Sequence, residues 1–573
     1  MSRLRFLRRV SRFPARNETY FDPFAHAALN AVSGPDVREY ISDIKETWHR
    51  PSGDDAVLEK NLMDYGDTLP RRSFDGAYLA ILKKTLDELR PAEPIIPLTL
   101  GAAAKHPQMP HSTSPGFPWT TKGYRTKRDV FQDKSAMGLI HRAWDSIGRG
   151  IAWQLPDCLG FHRTVASTRD KSKIRPVWGF PTDVIVEEAR FFFPLMEELK
   201  LINNERDTFY GTGMETMLSG HQHLARNLTT ASVKYVLNSD LSRFDAHVPS
   251  WVIRDVFAHI SSWFDFTRVR DSEGKIWNCN PSQTCRRWKA MVSYFINTKV
   301  RMPSGLRFQK NQGVPSGSMF TNLIDTCVNA VQFRTALYHC TGSLPPKDYY
   351  YGDDSCIFLR EVPDLDAIAK HLLEHFGAEL NVDKTILTDN PDNIHWLGYF
   401  FRSTGPRRSF DFIVASTLFP DREIESPTDS AARLLGQLYS CMDPKAAVVF
   451  YDAVTWLQST YDISVTELNS YVASLPSKAM KYLTTLGLSI EEVTLPSVSV
   501  DPFGGRVVTD ILPRPCARNF FRFRDPHLPK YAFCAEAYQN RALRQPIFRD
   551  FDKYSQTFTQ HFDYELDAAY FTD

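Results

Sequence analysis

Several stretches of this chain combine residue types and spacings that could do chemistry together. In KDYYYGDDSCIFL, from Lys347 to Leu359, two short aromatic or apolar runs flank Gly352-Asp353-Asp354, the pattern of a β-hairpin with its acids at the turn. Such a triplet arises by chance in roughly one chain in ten of this length, so alone it reads equally well as a surface turn. Upstream, KYVLNSDLSRFDAHVPSW has a strand-like run, Tyr235 to Leu237, that ends at Asp240, with Asp245 five residues on. A carboxylate at a strand end beside a carboxylate hairpin suits two divalent cations about 3.5 to 4 Å apart, which serve phosphoryl transfer by polarising an attacking hydroxyl and stabilising a leaving oxygen. Asp240 and Asp353 are the first candidates as ligands. Asp354 is expected to be auxiliary, because neighbouring strand residues point to opposite faces.

Two further segments fit that chemistry. STRDKSKIRPVWGFP sets Arg169, Lys171, Lys173 and Arg175 at a strict period of two, which on an extended segment sends all four cations to one face. Such a row suits a triphosphate, and the plain alternative is an edge strand guarded by charge. NQGVPSGSMFTNLIDTCVNAVQF opens with a glycine-rich loop at Gly313, Ser316 and Gly317, and its continuation has helical spacing. Phe320, Leu323, Ile324, Cys327, Val328 and Val331 form an apolar stripe, while Asn322, Asp325 and Asn329 share the opposite face. That polar face either looks into a site or is simply solvated.

The elements that must position these groups belong to a long chain of ordinary globular composition. With 573 residues, 43% hydrophobic, 24% charged and 13% aromatic, it can build several lobes, and wholesale disorder is excluded. The net charge of +1 means that any affinity for nucleic acid must come from locally sorted charge. The nine cysteines include no C-x-x-C pair and read as reduced intracellular thiols. No apolar run approaches the roughly 18 residues that span a bilayer, so no membrane partner is expected. A polar, helix-rich start runs to about Leu89, PAEPIIPLTL from Pro91 reads as an extended crossing, and 431–442, 445–461 and 465–475 show helical spacing. The first 17 residues hold Arg3, Arg5, Arg8, Arg9, Arg12 and Arg16 and no acid. They read as an arm contacting phosphate or capsid, as a mitochondrial-type presequence, or as a solvated end. The last stretch interleaves Arg514, Arg518, Arg522 and Arg524 with Phe520, Phe521 and Phe523.

The order of these motifs, cation strand, Asp-x4-Asp, Ser-Gly loop with helix, and acidic hairpin, resembles the viral RNA-dependent RNA polymerases over residues 110–402. GVPSGSMFTNLID and YGDDS look most like the polymerases of partitiviruses, with picobirnaviruses as near neighbours. The resemblance implies an α+β right-hand fold: fingers, a palm with an antiparallel sheet and helices, and a mainly helical thumb. It places an N-terminal extension bridging fingers and thumb at 1–90, fingers at 91–235 with part of the palm from about 180, palm at 236–265, a fingers insertion at 266–310, palm again at 311–402, and thumb with a C-terminal extension at 403–573.

Carried over residue by residue, Ser114 and Gly116 in TSPGFPW would lie beside the template, and Arg169, Lys171, Lys173 and Arg175 would hold nucleotide phosphates. Asp240, Asp353 and Asp354 would bind two Mg2+ ions, with Mn2+ as the alternative. Asp245 would sense the ribose 2′-hydroxyl, while Ser316, Gly317 and Thr321 would position template and nucleotide. Many positive-strand relatives have an Asn nine residues after that Ser; this chain has Asp325 there, which leaves Asn322, with Asn329 as the alternative, to partner Asp245. Lys384 in LNVDKT would be a general acid for pyrophosphate, or an exposed lysine. IHWLGYFF from Ile394 would brace the product 3′ end, or form a core hairpin. The implied partners are RNA, NTPs and a capsid protein, in the virion interior and host cytoplasm. A reverse transcriptase is disfavoured because Asp245 stands where those enzymes carry a bulky aromatic, and a silent RNA-binding or capsid scaffold is disfavoured by retention of all three acids.

Overall fold

In the computed structural model, which describes residues 4–14, 18–66, 69, 76–171, 173–230, 233–401, 406–475, 486–509 and 511, the two acid motifs lie on neighbouring strands of one sheet. The strands of the two larger sheets are β1 (Arg5–Arg9), β2 (Cys158–Val165), β3 (Lys173–Gly179), β4 (Tyr235–Asn238), β5 (Lys299–Arg301), β6 (Leu306–Gln309), β7 (Lys347–Tyr351), β8 (Asp354–Leu359) and β9 (Ile386–Thr388). Four of them form an antiparallel sheet in the order β7-β8-β4-β9, with Ile357 opposite Leu237 and Leu387 opposite Leu237 on its other side. Successive residues Val236 and Leu237, Tyr349 and Tyr350, and Ile357 and Phe358 are all buried. Since neighbours in a strand point opposite ways, both faces of this sheet are covered.

The helices that bear on the site are α1 (Pro23–Val32), α2 (Asp55–Met63), α3 (Thr182–Glu205), α4 (Ser250–Ser261), α5 (Pro281–Ile296) and α6 (Thr321–Thr341). Helix α6 is buried continuously from Leu323 to Leu337. The apolar stripe expected from the sequence is present, but the polar side is buried too, because Asp325 and Asn329 meet the acid motifs and not solvent.

The second sheet has five strands in the order β1-β6-β5-β2-β3, antiparallel except for the parallel β5 and β2. One of its faces is core, with Cys158, Ile174, Trp178, Val300 and Phe308 buried in the same cluster as Leu58 and Leu62 of α2 or beside it. A separate core is built from α1, the helix Pro35–Thr47 and a helical lobe of α7 (Phe410–Leu418), α8 (Pro427–Cys441), α9 (Ala447–Tyr461) and α10 (Val465–Ser474). The helices expected at 431–442, 445–461 and 465–475 are α8, α9 and α10. The first 90 residues are thus shared: β1 joins the five-stranded sheet, α1 joins the helical lobe, and α2 packs in the main core. The Arg-Phe stretch of residues 514–524, like Arg3 and Arg16, lies outside the described residues. Arg5 to Arg9 belong to a paired strand, so this part of the N-terminus is not a free solvated end.

Candidate active site

The acidic hairpin is the tightest feature. Tyr351 pairs with Asp354, leaving Gly352 and Asp353 as a two-residue loop, and Gly352 takes a φ of 64°, which a residue with a side chain adopts reluctantly at the first position of such a turn. Helix α6 holds the loop from below. Asn329 Nδ2 donates to the carbonyls of Gly352 and Asp353, both at 3.0 Å. The Gly352 N–H donates to Thr326 Oγ1 at 2.8 Å, and that hydroxyl donates to the Asn322 carbonyl at 2.7 Å.

Asp240 lies two residues past the end of β4. The strand end is stapled to β8 by Ser239 and Ser355, whose hydroxyls are 2.5 Å apart, and Asn238 Nδ2 donates to the Ser355 carbonyl at 2.8 Å. The backbone of Asp240 is held by the loop before β9, since Asn381 N donates to its carbonyl at 2.8 Å and its own N–H reaches Thr385 Oγ1 at 3.3 Å. Lys384 sits in this loop and, with Lys173, draws the Asp240 carboxyl down; burial, the larger effect, and Asp353 push it up. Burial, then Asp353 and Asp240, raise the Asp354 carboxyl, which the 397–398 turn partly offsets through the Leu397 backbone. Burial and Asp353 raise the Asp240 carboxyl, and burial, Asp353 and Asp240 raise that of Asp354, so the site is short of positive charge, which is the chemistry that a hard divalent cation satisfies. Among the described residues no group of three or more His, Cys, Asp or Glu side chains is placed to hold a metal ion as it stands, so the fit rests on this shared negative field and on oxygen-only donors.

Asp245 lies in a single helical turn, Phe244–His247. Burial, then Asp353, push its carboxyl up to about 7, against the pull of Arg175. Its carbonyl accepts from Val314 N at 2.7 Å, which ties it to the glycine-rich loop. Of the candidates to partner it, Asn322 accepts from the Tyr210 hydroxyl at 3.3 Å and faces the Gly352 turn, while Asn329 is committed to that turn. The residue set against Asp245 is Asp325, whose carboxyl is raised well above the usual range by burial and then by Asp245 and Asp353, and whose Oδ1 is buried without a hydrogen-bond partner.

The cation row divides. Lys173 and Arg175 lie on β3, and their charges bear on Asp240 and Asp353 and on Asp245 respectively. Arg169 and Lys171 do not share that strand face. The chain turns after Thr168, with Lys171 N donating to the Thr168 carbonyl at 2.9 Å, and Arg169 Nε donates to the Glu46 carbonyl at 2.5 Å. Period two aligns side chains only while a strand stays straight, and the turn breaks it. Ser316 Oγ accepts from Trp178 N at 3.3 Å, and a Cβ on Gly317 would fall 1.6 Å from the Trp178 carbonyl oxygen. Only glycine lets the loop lie this close to β3. Thr321 Oγ1 donates to the Pro315 and Ser318 carbonyls at 2.7 and 2.8 Å, closing the loop onto α6.

In TSPGFPW, Ser114 accepts on its carbonyl from Lys127 Nζ at 2.7 Å, and Gly116, at a φ of 71°, packs against Phe180 and Pro181 at the start of α3. The 394–401 segment is a buried hairpin: Trp396 and Tyr399 are fully covered, and Trp396 Nε1 donates to the Met214 carbonyl at 3.0 Å. Two supports escaped the sequence reading. Buried Glu188 of α3 accepts from Ser318 Oγ at 2.7 Å and from Met319 N at 2.8 Å, and buried Lys310 donates to carbonyls that include Ile296 and Gly313, each at 2.9 Å. The signal for Glu188 was an acidic pair, with Arg190 close behind, inside an otherwise apolar run, VIVEEARFFF.

Comparison with known proteins gives a family model described as viral RNA-dependent RNA polymerase, matching residues 57–412. The RNA-directed RNA polymerase of Atkinsonella hypoxylon virus (isolate 2H) is 27% identical over 318 residues, covering 48% of this chain and 47% of the relative. That of Cryptosporidium parvum virus 1 (strain KSU-1) is 27% identical over 298 residues, 49% and 50% of the two chains. That of White clover cryptic virus 1 is 21% identical over 412 residues, 68% and 62%. The chain spans about half the length of the first two of these relatives.

Proposed function

Because the chain belongs to the viral RNA-dependent RNA polymerases, we propose that it copies an RNA template by transferring ribonucleoside monophosphates onto an RNA 3′-hydroxyl, releasing pyrophosphate. The observation that carries this reading is the convergence of Asp240, Asp353 and Asp354 at the ends of adjacent strands, within the field of Lys173 and Lys384. Asp240 and Asp353, with Asp354 as auxiliary, would hold divalent ions, Mg2+ or Mn2+, which when bound polarise the attacking hydroxyl and steady the leaving group. Lys173 and Arg175 draw the triphosphate. Lys384 is the candidate to donate a proton to pyrophosphate. Asp245 accepts from the 2′-hydroxyl, and the loop at Ser316, Gly317 and Thr321, together with Asn322 and the turn at Ser114 and Gly116, positions nucleotide and template.

In the right-hand description, the four-stranded sheet with α6 is the palm, the five-stranded sheet belongs to the fingers, and α7 to α10 form the thumb, with residues 1–90 joining fingers to thumb. The enzyme would serve transcription and replication of a partitivirus-like double-stranded RNA genome, working with a capsid protein in the virion interior and host cytoplasm. No helix among the described residues is long and apolar enough to cross a membrane.

The test is synthesis by the purified chain on a defined RNA template with labelled NTPs, with and without chelator. Asp353→Asn should reduce incorporation by at least about 1,000-fold, in line with loss of a group acting at the transition state, while the protein stays folded. Full activity in that variant, or preferential use of dNTPs as in a reverse transcriptase, would refute the assignment.

A further inference from the structure

Among the described residues, those other than glycine that take a positive φ are Ser219, Arg243, Leu397, Met442 and Asp462. Ser219, Met442 and Asp462 each end a helical segment, where the left-handed conformation is common, and Leu397 lies in the turn of the 395–400 hairpin. Arg243 is placed differently. It stands before a helical turn, Phe244–His247, at a φ of 50° and a ψ of 43°, where a residue entering a helix is ordinarily extended. Glycine adopts that conformation without strain, whereas an arginine has to be held in it.

Arg243 also lies between two carboxylates with separate tasks, Asp240 and Asp245. The chain joining them is gripped at both ends. Residues 379–381 hold its start: Leu380 is opposite Leu241, Glu379 is opposite Ser242, and Asn381 N donates to the Asp240 carbonyl at 2.8 Å. The glycine-rich loop holds its end: Val314 N donates to the Asp245 carbonyl at 2.7 Å, and Gln312 Nε2 donates to the Ala246 carbonyl at 3.0 Å. The Arg243 side chain links these grips to a third segment. Its Nη1 donates to Asp64 Oδ2 at 2.9 Å, and its Nη2 lies 3.7 Å from Glu379 Oε2. Asp64 opens the turn that follows α2, and its carbonyl accepts from the same Gln312 amide at 3.1 Å. Asn61 Nδ2 of α2 donates to the Ile174 carbonyl at 2.9 Å, which ties this segment to β3 between Lys173 and Arg175.

Stability alone does not account for an arginine here. Its side chain is 59% exposed, exposed ion pairs add little, and glycine would remove the strain. Strain retained beside reactive groups points to position as the property that is kept. We infer that Arg243 is a positioning residue for nucleotide addition: by clasping Asp64 and Glu379 it fixes the Asp240–Asp245 turn, so that the metal-binding carboxylate and the one that accepts from the ribose 2′-hydroxyl meet the same nucleotide. It acts through these two groups and not on the nucleotide itself. The inference rests on the proposed polymerase reaction and deepens it.

The test compares Arg243→Gly, Arg243→Lys and Asp64→Ala in the full chain, by rapid-quench addition of NTP and dNTP on a primed RNA template and by amide hydrogen exchange resolved to single residues. Arg243→Gly suits the backbone and should melt no lower than the wild type. Its kcat should nevertheless fall by about 10-fold or more with less change in KM, the scale of a small displacement of reacting groups, and its preference for NTP over dNTP should fall by about 5-fold. Asp64→Ala should reproduce both changes, because it opens the clasp and leaves Arg243 in place. Arg243→Lys keeps a cation for Asp64 and should recover most of the rate. The amides of Asn381 and Val314, which donate to the Asp240 and Asp245 carbonyls, should exchange about 5-fold faster in Arg243→Gly and Asp64→Ala, the scale of one exposed ion pair. Unchanged rate and sugar preference in Arg243→Gly overturn the inference. So does a loss in Arg243→Gly while Asp64→Ala stays fully active, which would make the arginine a direct contact of RNA or nucleotide. A wild-type chain that makes no RNA sinks the polymerase reading, and exchange then decides the clasp by itself: faster exchange at both amides keeps it, and unchanged protection overturns it.

Discussion

The side-chain amide of Asn329 donates to the backbone carbonyl of Asp353 at 3.0 Å, so a residue two turns inside α6 holds the acidic loop from beneath. The same nitrogen serves the Gly352 carbonyl. Each such bond contributes on the order of 1 kcal/mol to holding its partners, and small displacements of a reacting group can cost about 100-fold in rate. Asn329→Ala should lower single-nucleotide addition by about 10- to 100-fold with less change in the KM for NTP. Rapid-quench incorporation on a primed template measures both.

Dividing the cation row makes a sharp contrast between its members. Lys173→Ala and Arg175→Ala should each lower kcat/KM for NTP by about 10-fold or more, the scale of one charge-assisted contact. Arg169→Ala should stay within about two-fold, because its guanidinium serves the carbonyls that end the Pro35–Thr47 helix. Equal losses in all three would restore the single row.

Discrimination between NTP and dNTP should depend on Asp245. A site built to hydrogen-bond a substrate hydroxyl rejects the analogue lacking it because its own polar group is left unpaired. Asp245→Ala should lower the preference for NTP by at least about 10-fold, read as the ratio of the two kcat/KM values. Asp325→Asn keeps the shape and should retain synthesis within about three-fold, whereas Asp325→Ala empties a buried position and should cost more.

Stability should fall with rising pH through Glu188. Burial pushes its carboxyl up to about 8, above the ordinary value of 4.5, despite donation from Met319 N and Ser318. The native state thus binds this proton more tightly than the unfolded chain does. The stabilisation is complete below about pH 4.5 and is lost as pH rises through 8, at up to about 1.4 kcal/mol per pH unit for one group. Glu188→Gln has no proton to lose, so its urea midpoint should fall less than that of the wild type between pH 5 and 8.5. Parallel curves for the two proteins would remove Glu188 from the account.

Much of the site was legible because its signals are local. A hairpin with two acids needs only two strand-like runs and a turn, and KDYYYGDDSCIFL contains them within one stretch. The stripe on α6 follows from spacing alone, as do the helices at 427–474. What failed was local in form but not in cause. The period of Arg169 to Arg175 is real, yet Arg169 is drawn off by carbonyls more than a hundred residues earlier in the chain. For Asn322, the neighbours it has in the fold, Tyr210 and the Gly352 turn, come from distant segments that spacing does not show.

The order of residues by itself determined the inventory: which carboxylates can meet at strand ends, where glycine must admit a close backbone, and which helix presents Asn322, Asp325 and Asn329 together. Only the folded chain decided the pairings. Strand register, the ion pairs of Arg243 and burial from both sides of α6 are set by contacts between distant segments, and these turn a list of charges into a brace and a cluster with its own field.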